Sequence, residues 1–220
     1  MTHEQDCACN LTAHSCKLVA LTGGPGAGKT AVLEVVRKHL CRHVAVLQES
    51  ASIVFGGGFP RGESELQRRA AQCAIFHVQR QLERMTVQPG AHAIALCDRG
   101  TLDGLAYWPG SPESYFAEVG STLAAELSRY AAVVHLRTPS SEHGNDHSNP
   151  LRVESALSAA DVDARILQAW QAHPTRIVID SSATFLEKLL RAVTAIREQL
   201  PECCRAHPIP EVDSAHRTSA

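Results

Sequence analysis

A three-layer, doubly wound α/β domain on a five-stranded parallel sheet is the fold this sequence predicts, from three observations. Five short apolar runs recur along the chain with helical or loop segments between them. The runs are continuous rather than alternating, the pattern of strands covered on both faces. The first run also passes directly into a glycine-rich turn that opens a helix, an arrangement open parallel sheets use at the carboxyl end of a strand.

The predicted strands are Lys17–Leu21, Val44–Leu47, Ala93–Cys97, Ala132–Leu136 and Arg176–Ile179. Between them, Thr30–Leu40 places Val32, Val35, Val36 and Leu40 at helical spacing. Glu63–Met85 is rich in Gln, Arg and Ala, which favour helix. Ser111–Tyr130 opens on a Ser-Pro-Glu helix start. Ser158–His173 and Ser182–Leu200 complete the set, the last with Phe185, Leu189, Ala192 and Ile196 on one face. Two stretches stand outside the layers: the glycine-rich 56–61 and the polar segment Thr138–Val153. A loop as long as the second is usually functional, and it is read as a lid. The expected organisation is a short extension over 1–16, the domain over 17–200, and a flexible tail over 201–220 carrying three prolines.

The turn reads Gly23-Gly24-Pro25-Gly26-Ala27-Gly28-Lys29-Thr30, a complete G-x-x-x-x-G-K-[ST] between strand and helix. The glycines let successive backbone N–H groups point inward around a polyphosphate, and the helix adds its positive end. Lys29 is placed to reach the β- and γ-phosphates and the Thr30 hydroxyl to join the shell of a Mg²⁺ ion. The chain is therefore expected to bind a nucleoside triphosphate. No guanine-reading N-K-x-D follows the fourth strand, where Arg137-Thr-Pro stands instead. That favours ATP, with GTP as the alternative.

Composition narrows the partners. Against 21 basic residues stand 23 acidic ones, a net charge of −2 that offers no general attraction to nucleic acid or to an anionic membrane. No apolar stretch approaches the roughly 20 residues of a membrane span. The first ten residues have neither the basic nor the apolar part of a secretory signal, so a cytoplasmic location is expected. Of eight cysteines, Cys41, Cys73 and Cys97 fall in predicted elements and read as small core hydrophobes. Cys7, Cys9, Cys16, Cys203 and Cys204 lie near the ends without paired C-x-x-C spacing, and read as exposed reduced thiols rather than metal ligands.

In a parallel sheet, ligands gather at the carboxyl ends of the strands. Asp98 ends the third strand after an apolar run, the pattern of a carboxylate that holds a Mg²⁺-bound water directly or through Thr30. The plainer alternative is a turn cap paired with Arg99. Arg99 itself either steers a hydroxyl or anionic group or makes a structural ion pair. Glu49, after the second strand, either takes a proton from an attacking hydroxyl or hydrogen-bonds a sugar, unless it is a solvent-facing side chain. Asp103 and Tyr107 either line an acceptor pocket or anchor the next helix. Arg137 and Arg152 stand at the near and far hinges of the lid, placed to close over the phosphates. His143, Asp146 and His147 within that segment read as a solvated loop. Arg61, Arg68 and Arg69 read mainly as a solvated helix face.

At these residues the chain resembles a known family. TGGPGAGKT, QES, FPR, RRAAQCAIFHVQRQLE, CDRGTLDGLAYWPG, HLRTP and NPLR are similar to bacterial ATP/GTP-binding proteins of the AAA-type ATPase family. That family includes the nicotinamide riboside kinase domain of a bacterial NAD-biosynthesis regulator. The resemblance spans about residues 17–200. It implies a nucleoside/nucleotide-kinase-like P-loop fold with strand order 2-3-1-4-5. It also implies that Asp98-Arg99 matches the Asp-Arg pair that such kinases place after their third strand. Glu49 falls where deoxynucleoside kinases keep a carboxylate near the acceptor hydroxyl, and Arg152 falls in the lid. The separate helical domain of hexameric AAA+ motors has no counterpart in the residues after Asp98. The expected function is a Mg²⁺-dependent phosphotransferase acting on a small hydroxyl-bearing, nucleoside-like acceptor. The alternative is a nucleotide-dependent switch that hydrolyses slowly and acts through a partner.

Overall fold

The computed structural model describes residues 13–88, 90–139, 156–180 and 184–205, with side chains omitted for 156–158. The strands are β1 (Lys17–Thr22), β2 (Val44–Leu47), β3 (Ile94–Asp98), β4 (Tyr130–Leu136) and β5 (Arg176–Ile179). All neighbours pair in parallel in the order β2-β3-β1-β4-β5. This is the P-loop kinase fold, with the strand order that the resemblance implies. Register between β1 and β3 runs from Lys17 opposite Ile94 to Leu21 opposite Asp98, so β3 ends level with the start of the glycine-rich turn.

The two faces of the sheet bury alternate residues. On one, Val19, Leu21, Leu96 and Val134 pack under α1 (Lys29–His39) and α7 (Phe185–Glu198). On the other, Leu18, Ala20, Ala95, Cys97 and Val133 meet Val162 and Ile166 of α6 (Ala156–Ala169) and Trp170 just beyond its end. A third cluster, Phe76, Trp108, Tyr115 and Val119, joins α3 (Glu65–Thr86) to α4 (Pro112–Val119). Continuous apolarity in the strands is thus two-sided burial, as the sequence predicts.

Several boundaries differ from the sequence expectation. The helix expected over 111–130 is two, α4 and α5 (Leu123–Leu127), because Gly120 takes a left-handed φ of 65° and ends the first. Thr122 then caps the second by accepting from the Ala125 N–H at 3.1 Å. A helix missing from the expectation, α2 (Ser50–Gly56), follows β2 directly. Phe185, expected on the buried face of α7, is 58% exposed. Residues 202–205, expected in a flexible tail, form α8 (Glu202–Arg205), and Cys204, expected to be an exposed thiol, is fully buried. The remaining tail and most of the extension lie outside the described residues. Among the described residues, no helix is long and apolar enough to cross a membrane.

Candidate active site

The turn between β1 and α1 has a backbone that side chains would obstruct. Gly23 has φ 138°, and a Cβ there would lie 2.1 Å from the Leu136 carbonyl oxygen. The N-cap of α1 is Gly28, so no side chain satisfies the first N–H groups of the helix. Uncapped donors at a helix start are what an anion seat requires.

Lys29 is buried and folds back on the turn, donating to the Gly23 and Gly24 carbonyls at 2.9 and 3.0 Å. Burial, then Arg99, pushes its ammonium down to about 7, while Asp98, Asp103 and Glu49 pull it up. Asp98, at the end of β3, is held above the ordinary carboxylate range by burial first, with Glu49 and Asp103 adding to it and Lys29 and Arg99 opposing. Its Oδ1 is buried with no hydrogen-bond partner among the described residues. An orphaned carboxylate oxygen beside a buried ammonium is the donor a hard cation would complete. Thr30 is exposed at the same mouth.

Arg99 holds this corner together. Its backbone is left-handed, φ 75°, which costs about 1–3 kcal/mol in a non-glycine residue. Its side chain is tied to three acceptors: Glu49 Oε1 at 2.7 Å, and the Gly23 carbonyl and Asp103 Oδ2 at 3.3 Å each. Glu49 also accepts from Ser52 Oγ at 2.5 Å. Burial alone would raise the Glu49 carboxyl, but Arg99, Ser52 and Lys29 together hold it below its ordinary value. Glu49 is therefore ionised and oriented rather than solvent-facing.

Asp103 resolves toward anchoring. It is 3% exposed and accepts from Thr22 Oγ1 at 2.5 Å and Trp170 Nε1 at 2.7 Å, besides Arg99. It pins the 3-10 helix Thr101–Ala106 to β1 and to the turn after α6. Behind that helix, Glu126 accepts from Thr101 Oγ1 at 2.8 Å, and Tyr115 OH donates to the Thr101 carbonyl at 2.8 Å. Thr101 is thus fixed from two sides.

Arg137 is not over the phosphate seat in this structure. Its Nε donates at 2.7 Å to Asp163 of α6, which also accepts from the Gly24 N–H at 2.9 Å and contacts His135 Nε2 at 3.1 Å. Sequence reading missed Asp163 and also Lys188 of α7, which donates to the Ala27 carbonyl at 2.9 Å and to the Arg137 carbonyl at 2.5 Å. Each is a charged residue set within an apolar helical stripe. These two side chains clamp the turn from opposite flanks. Arg152, His143, Asp146, His147 and the lid beyond Pro139 lie outside the described residues.

A cleft of about 930 Å³ connects Pro25, Thr30, Glu49, Asp98, Arg99 and Tyr107. It continues between α2 and α3 to Phe55, Arg61, Arg68 and Gln72. Arg61 lies over the Phe55 ring at 4.2 Å, forming a flat cationic wall. Arg69 belongs to the scaffold instead: it meets Glu65 at 3.3 Å and Glu118 at 3.4 Å, and lies over Trp108 at 5.1 Å.

A strand, an uncapped glycine turn with its lysine, and a carboxylate on the neighbouring strand define a P-loop NTPase. A family model described as an AAA domain matches residues 18–188, and the chain belongs to that family. No curated protein matches it. Among solved structures, thymidylate kinase from Candida albicans is similar at a TM-score of 0.60 and 13% identity, covering 85% of this chain and 92% of that one. NadR protein in complex with NR gives 0.61 at 15% identity, over 85% of this chain and 52% of that one. NadR in complex with NAD and AMP-PNP gives 0.56 at 13% identity, over 84% and 50%. The chain spans about half the length of the NadR structures. At these identities the likeness is one of fold.

Proposed function

We propose that this chain is a Mg²⁺-dependent phosphotransferase that takes ATP at the Gly23–Thr30 turn and transfers its terminal phosphoryl group to a small, hydroxyl-bearing, nucleoside-like acceptor. The observation that carries this reading is the cleft, which runs from the phosphate seat at Pro25 and Thr30 past Glu49 and Asp98 to side chains of α2 and α3. The resemblance in fold to structures solved with NR, and with NAD and AMP-PNP, supports nucleotide and nucleoside-like ligands.

The roles follow from the geometry. Lys29 leaves the Gly23 and Gly24 carbonyls for the β- and γ-phosphates and regains full charge there. The N–H groups of Gly26, Gly28, Lys29 and Thr30 hold the same oxygens. Thr30 and Asp98 would hold Mg²⁺, which supplies charge neutralisation across the phosphates. Glu49, oriented by Arg99 and Ser52, accepts a hydrogen bond from the acceptor hydroxyl and takes its proton as the bond to phosphorus forms. Arg137 and Arg152 are the cations for lid closure, Arg137 by release from Asp163. Phe55 with its stacked arginine offers a face for a planar ring.

Glu49→Gln is the test. It keeps the size and one oxygen to accept from Arg99 but removes the base, and should reduce acceptor-dependent ADP release by about 10²–10³-fold. Affinity for ATP should stay within about twofold, because the seat lies on other residues. The readout is ADP release with and without a panel of nucleosides and vitamins. An equal loss of ATP affinity removes Glu49 from the acceptor role. Stimulation by a partner protein but by no small molecule favours the switch.

A further inference from the structure

At the opposite end of the sheet from the cleft, beside the amino ends of the strands, three separate segments bring sulfur and imidazole ligands together. His14 precedes β1, Cys41 and His43 lie in the turn from α1 to β2, and Cys203 and Cys204 lie on α8. Cys204 is the hub. Its Sγ lies 3.6 Å from His43 Nδ1, 3.8 Å from His14 Nε2 and 3.9 Å from Cys203 Sγ. Cys41 Sγ lies 3.8 Å from His43 Nδ1, and Cys203 Sγ lies 4.0 Å from His14 Nε2. Two three-ligand groups result, Cys41–His43–Cys204 and His14–Cys203–Cys204, with the ligand atoms of each within 4.8 Å of one another.

Three of these separations, the 3.6–3.8 Å that link Cys41, His43, Cys204 and His14 in a chain, match the edges of a coordination shell. Zn–S near 2.3 Å and Zn–N near 2.0–2.1 Å, at tetrahedral angles, set ligand-to-ligand edges of roughly 3.3–3.8 Å. The rings of His14 and His43 also pack edge to face, 4.8 Å between centroids. Cys41, His43 and Cys204 are all buried, so the ligands already stand in a low-dielectric pocket without a solvent shell to displace.

We propose that this cluster is a structural zinc site, with Zn²⁺ held by the buried triad Cys41, His43 and Cys204 and with His14, 3.8 Å from Cys204 Sγ, turning in as the fourth ligand. Two thiolates neutralise the dication, and two neutral imidazoles complete four-coordination. The buried centre is then uncharged, which a third thiolate from Cys203 would spoil. Binding releases the two thiol protons to solvent. The ion joins the segment before β1, the α1–β2 turn and the C-terminal helix, and so holds α8 against the core. It lies away from the phosphate cleft and is independent of the phosphotransferase reading.

The test uses the full chain, purified with a thiol reductant that does not bind metal. Elemental analysis should find about one zinc per chain after gel filtration. Titrating Co²⁺ into the reduced, zinc-stripped protein should produce the visible bands of tetrahedral cobalt and a thiolate-to-cobalt charge-transfer band, saturating at about one equivalent. Cys204→Ser should abolish both bands. His14→Ala should weaken binding at least about tenfold, and Cys203→Ser and Cys73→Ser should leave the spectrum in place. A wild-type chain with its thiols reduced that takes up neither ion overturns the proposal, whatever the variants do. So does a cobalt spectrum that persists in Cys204→Ser, the result expected if Cys7 and Cys9 bind metal elsewhere. A disulfide joining any two of Cys41, Cys203 and Cys204 in freshly isolated protein would overturn it as well.

Discussion

Replacing Lys29 with methionine is expected to lower phosphoryl turnover by at least about 10³-fold while the protein stays folded. Lys29 is the ammonium that the turn itself carries, and the transferring group gathers its negative charge there. Methionine keeps the length and apolar stem and removes only the cation and its two hydrogen bonds to Gly23 and Gly24. The stability side has a definite sign. A lysine moved from 10.5 down to about 7 is a folded-state liability below pH 7, where both states are charged but only the unfolded one is hydrated. That liability fades as pH rises from about 7 toward 10.5, where the unfolded chain also loses its proton. The methionine variant should therefore melt no lower than wild type at neutral pH, and any advantage should shrink as pH is raised from about 7 toward 10. ADP release and thermal melts on the same samples check both halves. Retained turnover would remove Lys29 from the mechanism, and a large fall in melting temperature would mean the fold was lost instead.

Asp163→Ala should be the most damaging single change outside the cleft. The carboxylate is 1% exposed and serves the Gly24 N–H, His135 and Arg137 together. Removing one partner of a buried charged network typically costs about 3–5 kcal/mol, and the partial exposure of Arg137 argues for the lower figure. At this chain length about 3 kcal/mol corresponds to a fall in melting temperature of roughly 6–12 °C. The acid limb gives an independent check. Burial alone would raise the carboxyl, but hydrogen bonds from His135, Gly24 and Arg137 hold it at about 2, against 3.8 ordinarily. Its stabilisation is therefore complete above pH 4 and is lost as pH falls from about 4 to about 2. Wild type should lose stability over that window by an amount on the order of 2 kcal/mol that the alanine variant does not show. Nucleotide affinity should fall as well, because the flank of the turn is released. A variant as stable and as tight-binding as wild type would show that Lys188 alone fixes the turn.

The fold was largely legible because its strands are buried on both faces, and continuous apolar runs say so directly. The glycine turn was legible because its chemistry dictates its residues. The supports of the site were harder to read. Asp163 shares a stripe with Ala159, Val162 and Ile166, and Lys188 stands beside Leu189 and Ala192. A charge within an apolar stripe was the available signal, and periodicity alone counts it as noise. Arg99 and Arg137 carry the residue types of anion-binding groups, yet here both are spent on carboxylates, a pairing set by tertiary placement. The Cys and His cluster was invisible for the same reason: its residues come from three distant segments, around 14, 41–43 and 203–204.

The account centres on a buried, proton-poor Lys29 waiting for a polyphosphate. The most direct measurement is calorimetric titration of a non-hydrolysable ATP analogue with Mg²⁺ at pH 8, in two buffers of different ionisation enthalpy. The account predicts binding with uptake of close to one proton, since Lys29 moves from about 7 in the free chain to fully protonated against the phosphates, and no such uptake in Lys29→Met. Absence of binding heat in both buffers, or binding with the same proton count in wild type and Lys29→Met, would contradict it.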